Sequence, residues 1–138
     1  MARADRYTHL TDLPEYYSDF MTNFATNPIT DNLAKITNED AIKQALKNLI
    51  LTVPGERPDV RLGSGITSML FEPANPVTAE IMKIKIQQAI DYACPRVNVK
   101  DITVIDDIEN NSYTIVLWFE AINIPEPVRL DLLVKRVR

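Results

Sequence analysis

The sequence predicts an α+β domain of two layers, helices packed on a small antiparallel sheet, and three observations predict it. Apolar residues recur at helical spacing between Ile42 and Ala93, the period changes to two from Val97 onward, and the strongly punctuated turns lie between the helical segments. All three glycines, Gly55, Gly63 and Gly65, fall in the stretch Leu51 to Arg96, with five of the nine prolines. Its turns are therefore specified residue by residue.

A chain of 138 residues with 46% hydrophobic and 25% charged residues makes one ordinary domain with a real core. We expect an N-terminal arm over residues 1–37, partly extended, and a single α+β domain over 38–138. No apolar run approaches the roughly 20 residues that span a bilayer, and MARADRYTHL is too polar for a signal peptide, so no membrane and no secretion are expected. The lone Cys94 excludes an internal disulfide, and with the lone His9 it cannot build a typical zinc site, so no cofactor is expected. The net charge of −4 argues against nucleic acid as a partner. It is unevenly spread: Arg129, Lys135, Arg136 and Arg138 against Asp131 make the last eleven residues a basic end on an acidic body.

In the arm, Tyr16, Tyr17, Phe20 and Phe24 stand at near-helical spacing among polar residues and prolines, which predicts an extended segment with at most a short helical turn. That aromatic content is unusual for a disordered tail and predicts docking on the protein's own core or on a partner. Ile29 to Thr37 reads as a short strand. Asn38 is placed to cap a first helix with Glu39 and Asp40 in its opening turn, and Ile42, Ala45, Leu46, Leu49, Ile50 and Val53 make its apolar face until Pro54-Gly55 stops it.

After the turn GERPDVRLGSG, Ser64 is expected to cap a short helix carrying Ile66, Met69 and Leu70 on one face, ended by Glu72-Pro73. Asn75 caps and Pro76 begins a third helix, with Val77, Ile81, Ile84, Ile86, Ala89, Ile90 and Ala93 as its apolar surface and Pro95 setting its exit. Three strands follow as a meander. Val97 to Asp106 carries Ile102 and Val104 on one face, the polar run DIENNS loops back, and Tyr113 to Ile122, apolar on both sides, is expected to be central and covered on both faces. Pro125-Glu126-Pro127 is expected to turn the chain into Val128 to Val137, where Val128, Leu130, Leu132 and Val134 alternate with Arg129, Asp131 and Lys135.

Motifs for chemistry are absent. Gly63-Ser64-Gly65 lacks the third glycine of a dinucleotide fingerprint, since Ser68 stands there, and Leu62 and Ile66 exclude a nucleophile elbow. His9 has no nucleophile near it in sequence, and Asn110-Asn111-Ser112, although a glycosylation sequon, reads as a hairpin loop. Glu56, Asp59 and Glu72 cluster in the best-specified stretch, and a glycosidase needs two acids flanking one bond. With nineteen acids in the chain, caps, turns and Arg partners are the expected roles for these three, and no catalytic residue is assigned.

The combination of GERP, the nearby glycine pair, LFEP, a Thr-led helix and the terminal Pro-Arg in LKNLILTVPGERPDVRLGSGITSMLFEPANPVTAEIMKIKIQQAIDYACPRV resembles the baseplate wedge family of contractile phage tails. That family is often labelled lysozyme-like and is related to the TssE subunit of type VI secretion. The resemblance covers about residues 38–138. It implies a sheath initiator without chemistry, six copies per baseplate and a monomer in isolation, sited in the virion's tail baseplate after assembly in the host cytoplasm. The partners it implies are other wedge proteins and the tail sheath protein, extending to hub or tube-initiator proteins. The family's Glu-Pro-Arg motif for the wedge core falls on Cys94, Pro95 and Arg96, with the glutamate replaced by Cys94. The sheet edge offered to the sheath would be the last strand, through Val128, Arg129, Leu130, Leu132, Val134, Lys135 and Arg136. The alternatives are a peptidoglycan-cleaving hydrolase, which the family label suggests, and the equivalent secretion-system subunit.

Overall fold

The structure, a computed structural model, describes residues 16–72 and 75–136. They form β1 (Ser18–Phe20), β2 (Lys35–Thr37), α1 (Asn38–Leu51), α2 (Ile66–Met69), α3 (Pro76–Ala93), β3 (Val97–Asp107), β4 (Ser112–Ala121) and β5 (Ile124–Lys135). The chain divides into two compact units, Met1–Ala41 and Ile42–Arg138.

In the first unit β1 and β2 pair antiparallel, Ser18 with Thr37 and Phe20 with Lys35, and a bridge joins Thr26 to Leu33. Tyr16, Tyr17 and Phe20 thus lie on extended backbone, and Phe24 closes a single turn, its N–H donating to Met21 O at 2.9 Å. Nine residues are too few for a helix to hold by itself, whereas a facing strand satisfies the main chain at once. The strand expected over Ile29 to Thr37 shrinks to its last three residues, because Asp31 N–H donates to Asn27 O (2.9 Å) to make a turn first. Asn38 opens α1 with φ 50°, and its Oδ1 accepts the Tyr16 N–H at 3.0 Å, tying β1 to the helix start. Asparagine is among the few residues that enter the left-handed region readily. Expected to cap the helix, Asn38 stands instead as its first residue.

The second unit is an α+β sandwich whose sheet runs β3-β4-β5, all antiparallel. Its core gathers Ile42, Leu46, Leu49 and Ile50 from α1, Ile66 and Met69 from α2, Met82, Ile86, Ala89 and Ile90 from α3, and one face of the sheet. Ala45 and Val53, expected on the α1 face, are exposed, and the helix ends at Leu51. Thr52 closes it by donating both N–H (3.0 Å) and Oγ1–H (2.6 Å) to Asn48 O.

Gly65, at φ 67°, and not Ser64, holds the position before α2, while the buried Ser64 hydroxyl donates to Ile50 O. Gly63 lies so close to Thr52 that a Cβ there would stand 2.4 Å from its carbonyl oxygen. These contacts fold the turn back onto the end of α1. Asn75 caps α3 as expected, its Oδ1 accepting the Thr78 N–H at 2.7 Å, with Pro76 at the first helical position. The buried side of α3 is rotated from the expected one: Thr78 and Met82 are inside, while Val77, Ile81 and Ile84 are exposed. No helix of the described residues is long and apolar enough to cross a membrane.

In the sheet, Val97 and Val99 pair with Ala121 and Phe119, while Ile102 and Val104 pair with Leu117 and Ile115. The inward positions change from odd to even numbers because a bulge at Lys100 inserts one residue. On β4, Tyr113, Ile115, Leu117, Phe119 and Ala121 are buried, whereas Trp118 and Ile122 on the other side are exposed. The central position is as expected. Cover on both faces is not, since the helices pack on one side only. The β4–β5 connection is the two residues Ile122-Asn123, with Asn123 at φ 73°, and Pro125 and Pro127 lie inside β5. An asparagine at positive φ makes the tight turn, and prolines are tolerated on an edge strand because an outward N–H is dispensable.

Candidate functional site: a docking corner and a sheet edge

Cys94 ends α3, its N–H donating to Ile90 O at 2.8 Å, and Val97 N–H donates back to Cys94 O at 3.0 Å. This tight exit, which Pro95 enforces, leaves Pro95 and Arg96 exposed while Cys94 is half-buried. Burial pushes the Cys94 thiol up from its ordinary value, as expected for a small apolar residue rather than a reactive thiolate. Ile122 N–H donates to Arg96 O at 3.0 Å, so the β4–β5 turn backs the corner from across the sheet. An open hollow of about 340 Å³, lined by Glu120, Ala121, Asn123, Ile124 and Pro125, lies at the same end.

The other sequence-predicted positions form the edge strand. From Val128 to Lys135 β5 pairs with β4 in unbroken register. Val128, Leu130, Leu132 and Val134 are buried, so they can offer a partner only their main chain, while Arg129, Asp131, Leu133 and Lys135 point outward. Arg129 Nε donates to Asp131 at 2.8 Å, and its guanidinium lies 5.9 Å from the Trp118 ring. Arg136 fixes the strand's end: its N–H donates to Asn111 O (2.8 Å), its Nη2 donates to Glu72 O, and its guanidinium lies over Tyr113. Val137 and Arg138, like His9, lie outside the described residues. The opposite edge, β3, carries the Lys100 bulge, where Lys100 pairs with Glu120 at 2.9 Å, and turns the carboxylate of Asp106 to the helix-covered side. Bulges and inward charges are both devices that discourage strand addition.

Of the three candidate carboxylates, Glu56 and Asp59 have structural partners, while Glu72 contributes its main-chain oxygen to Arg136. Glu56 Oε2 accepts the Val53 N–H at 3.2 Å, closing its own turn. Asp59 accepts the Tyr92 hydroxyl (2.7 Å) and the Arg61 N–H (3.1 Å), and Arg61 lies 4.7 Å from the Tyr92 ring. The Tyr92 bond above all holds the Asp59 carboxyl below its usual range and raises the Tyr92 phenol in turn. A glycosidase acid needs the opposite shift. Among the described residues no group of three or more His, Cys, Asp and Glu is placed to hold a metal.

Sequence reasoning missed two features here. The Tyr92–Asp59–Arg61 cluster joins residues 33 apart and has no local signal. The Lys100 bulge had one, since Val97-Val99 and Ile102-Val104 alternate out of phase.

A model of the family described as "Baseplate wedge protein gp25" matches residues 37–120. The chain is 28% identical over 89 residues to the baseplate wedge protein gp25 of Enterobacteria phage T4, covering 64% of this chain and 67% of that protein. Among solved structures, a Geobacter sulfurreducens protein described provisionally as a tail lysozyme shares the fold with a TM-score of 0.66 at 18% identity, over 75% of this chain and 96% of its own. A chain of the six-fold symmetrised anti-feeding prophage baseplate does so with a TM-score of 0.59 at 20% identity, over 88% of this chain and 86% of its own. That last coverage amounts to about 121 residues, so the likeness of fold extends ahead of residue 38. With the family match spanning more than half of its length, the chain belongs to the baseplate wedge protein gp25 family and is a structural component of the virion's contractile-tail baseplate.

Proposed function

We propose that this protein initiates the tail sheath: it binds the wedge core through the corner Cys94-Pro95-Arg96 and offers the edge of β5 for a strand of the first sheath ring to extend. The observation that carries this reading is the contrast between the two edges of one sheet. β3 is bulged in mid-strand and carries an inward carboxylate, whereas β5, whose own register shift lies ahead of Val128, runs unbroken from Val128 to Lys135 with Arg129 and Lys135 facing out. Unpaired N–H and C=O groups on such an edge accept a strand from another chain, and alternate side chains set its register. The cations favour an acidic incoming segment. At the corner, Arg96 is exposed and supplies a guanidinium fork for a carboxylate of the wedge core, while Cys94 in place of the family's glutamate removes one charged contact. On this reading the protein has no hydrolytic role, and one copy sits in each of six wedges.

The test leaves the core intact. Deleting residues 128–136 would remove four buried side chains and unfold the domain, so outward charges are reversed instead. A phage carrying Arg129→Glu with Lys135→Glu is expected to assemble baseplates and tubes that lack sheath in electron micrographs. Normally sheathed tails from that phage would refute the edge reading, and unimpaired wedge assembly with Arg96→Ala would refute the corner.

A further inference from the structure

We propose that residues 16–37 form a second docking element, a β-ribbon anchored by Phe24 and Ile29 in an apolar pocket with a basic rim on another baseplate protein. It rests on baseplate membership alone, and on neither the corner nor β5. The ladder of β1 and β2 continues toward the tip through Met21 N–H to Ala34 O (3.1 Å), Ala34 N–H to Ala25 O (2.8 Å) and Asn27 N–H to Asn32 O (2.7 Å). A ribbon of only two strands is marginal in water unless an apolar face is covered. Here Ile29 is 91% exposed, Phe24 69% and Leu33 41%.

The backbone singles out the anchor. Phe24 is held at φ 51° by its own N–H donating to Met21 O (2.9 Å), so a bulky side chain sits in the strained left-handed region and in solvent at once. Folding alone gains nothing from that arrangement, and such outliers concentrate where binding uses them. The charge indicates the rim. Residues 16–41 carry one cation, Lys35, against Asp19 and Asp31 in the ribbon and Glu39 and Asp40 in the first turn of α1, which follows it directly. A partner that buries Phe24 and Ile29 therefore meets an acidic surround, which a basic rim complements. The ribbon lies ahead of the residues that the family model matches, while the likeness of fold to the anti-feeding prophage baseplate chain reaches into this part of the chain.

The test titrates the full-length protein against each purified tail protein encoded beside it, comparing wild type with Phe24→Ser/Ile29→Ser. Both substituted side chains are exposed, and unchanged amide protection of Met21, Ala34 and Asn27 in hydrogen exchange verifies that the ribbon stays folded. One partner is expected to bind the double variant roughly tenfold or more weakly, as loss of a buried aromatic anchor does, and to bind wild type less tightly as salt is raised. Equal affinity of variant and wild type for every partner would overturn the proposal, and so would salt-independent binding. A wild-type dimer in sedimentation that the double variant abolishes would also overturn it, by making a second copy the occupant. Arg96→Ala and Arg129→Glu/Lys135→Glu enter the same titration. Losses confined to those variants would refute the ribbon and leave the corner and edge standing, and losses confined to the ribbon variant would do the reverse.

Discussion

Replacing Gly63 by alanine tests how the turn between α1 and α2 is held. Gly63 has φ 116°, and an added Cβ would lie 2.4 Å from Thr52 O and 2.9 Å from Thr52 C. The obstacle is main chain, and it cannot move freely: Thr52 is bonded twice to Asn48 O, and its own carbonyl accepts the Gly65 N–H at 3.3 Å. Gly55, at φ 91° with nothing within 4 Å, supplies the control. Gly55→Ala carries only the conformational penalty of about 1–2 kcal/mol. Gly63→Ala adds about 1–3 kcal/mol of overpacking, for a total near ~3–4 kcal/mol. In urea unfolding followed by the single Trp118, this separates the two midpoints by about 1–2 M at unchanged slope. Coincident midpoints would show that the close approach to Thr52 does not hold the turn.

Other consequences can be measured independently. Phe119→Ala, which removes a fully buried ring from β4, is expected to destabilise by about 3–5 kcal/mol in the same assay, and a loss below ~1 kcal/mol would contradict the assigned core. Asp59 titrates below its ordinary 3.8 because its folded form is bonded as the anion, so its contribution is present above pH 3.8 and fades as pH falls through the lower folded value. Carbon-detected NMR of wild type and Tyr92→Phe should show the midpoint rising in the variant, and an unmoved midpoint would remove Tyr92 as the main cause. Cys94, with its thiol pushed up by burial, should alkylate more slowly at pH 8 than a cysteine in an unfolded peptide; equal rates would mean an open thiol. Purified protein should not clear a cell-wall suspension, and clearing that Glu72→Gln abolishes would establish the hydrolase.

The sequence read well where local chemistry decides geometry. Asn75-Pro76 specifies a helix start without help from elsewhere, and the alternation along β4 and β5 identifies the meander and its buried side. It read poorly where the tertiary partner decides. Val77, Ile81 and Ile84 look like core because a helix this apolar has two candidate faces, and only packing on the sheet selects the one with Met82, Ile86 and Ile90. Ser64 accepts the Ile66 N–H at 3.4 Å, but its hydroxyl donates to Ile50 O across the turn and Gly65 takes the position directly before the helix. Pro125 and Pro127 suggest a turn, yet Asn123 supplies the positive φ first and leaves them an edge they can occupy. The candidate site divides similarly. Pro95 and Arg96 are legible as an exposed corner, and the side chains of β5 as an alternating strand. That β3 is interrupted in mid-strand while β5 keeps register from Val128 to Lys135 is visible only in the pairing across the sheet.

Electron cryomicroscopy of the assembled baseplate carrying its first sheath ring tests the central claim most directly. A strand of a sheath subunit is expected to continue the sheet beyond β5, alongside Val128 to Lys135, with Arg96 in contact with the wedge core. A β5 edge that faces solvent or pairs with a wedge protein, while the sheath attaches elsewhere, would contradict it.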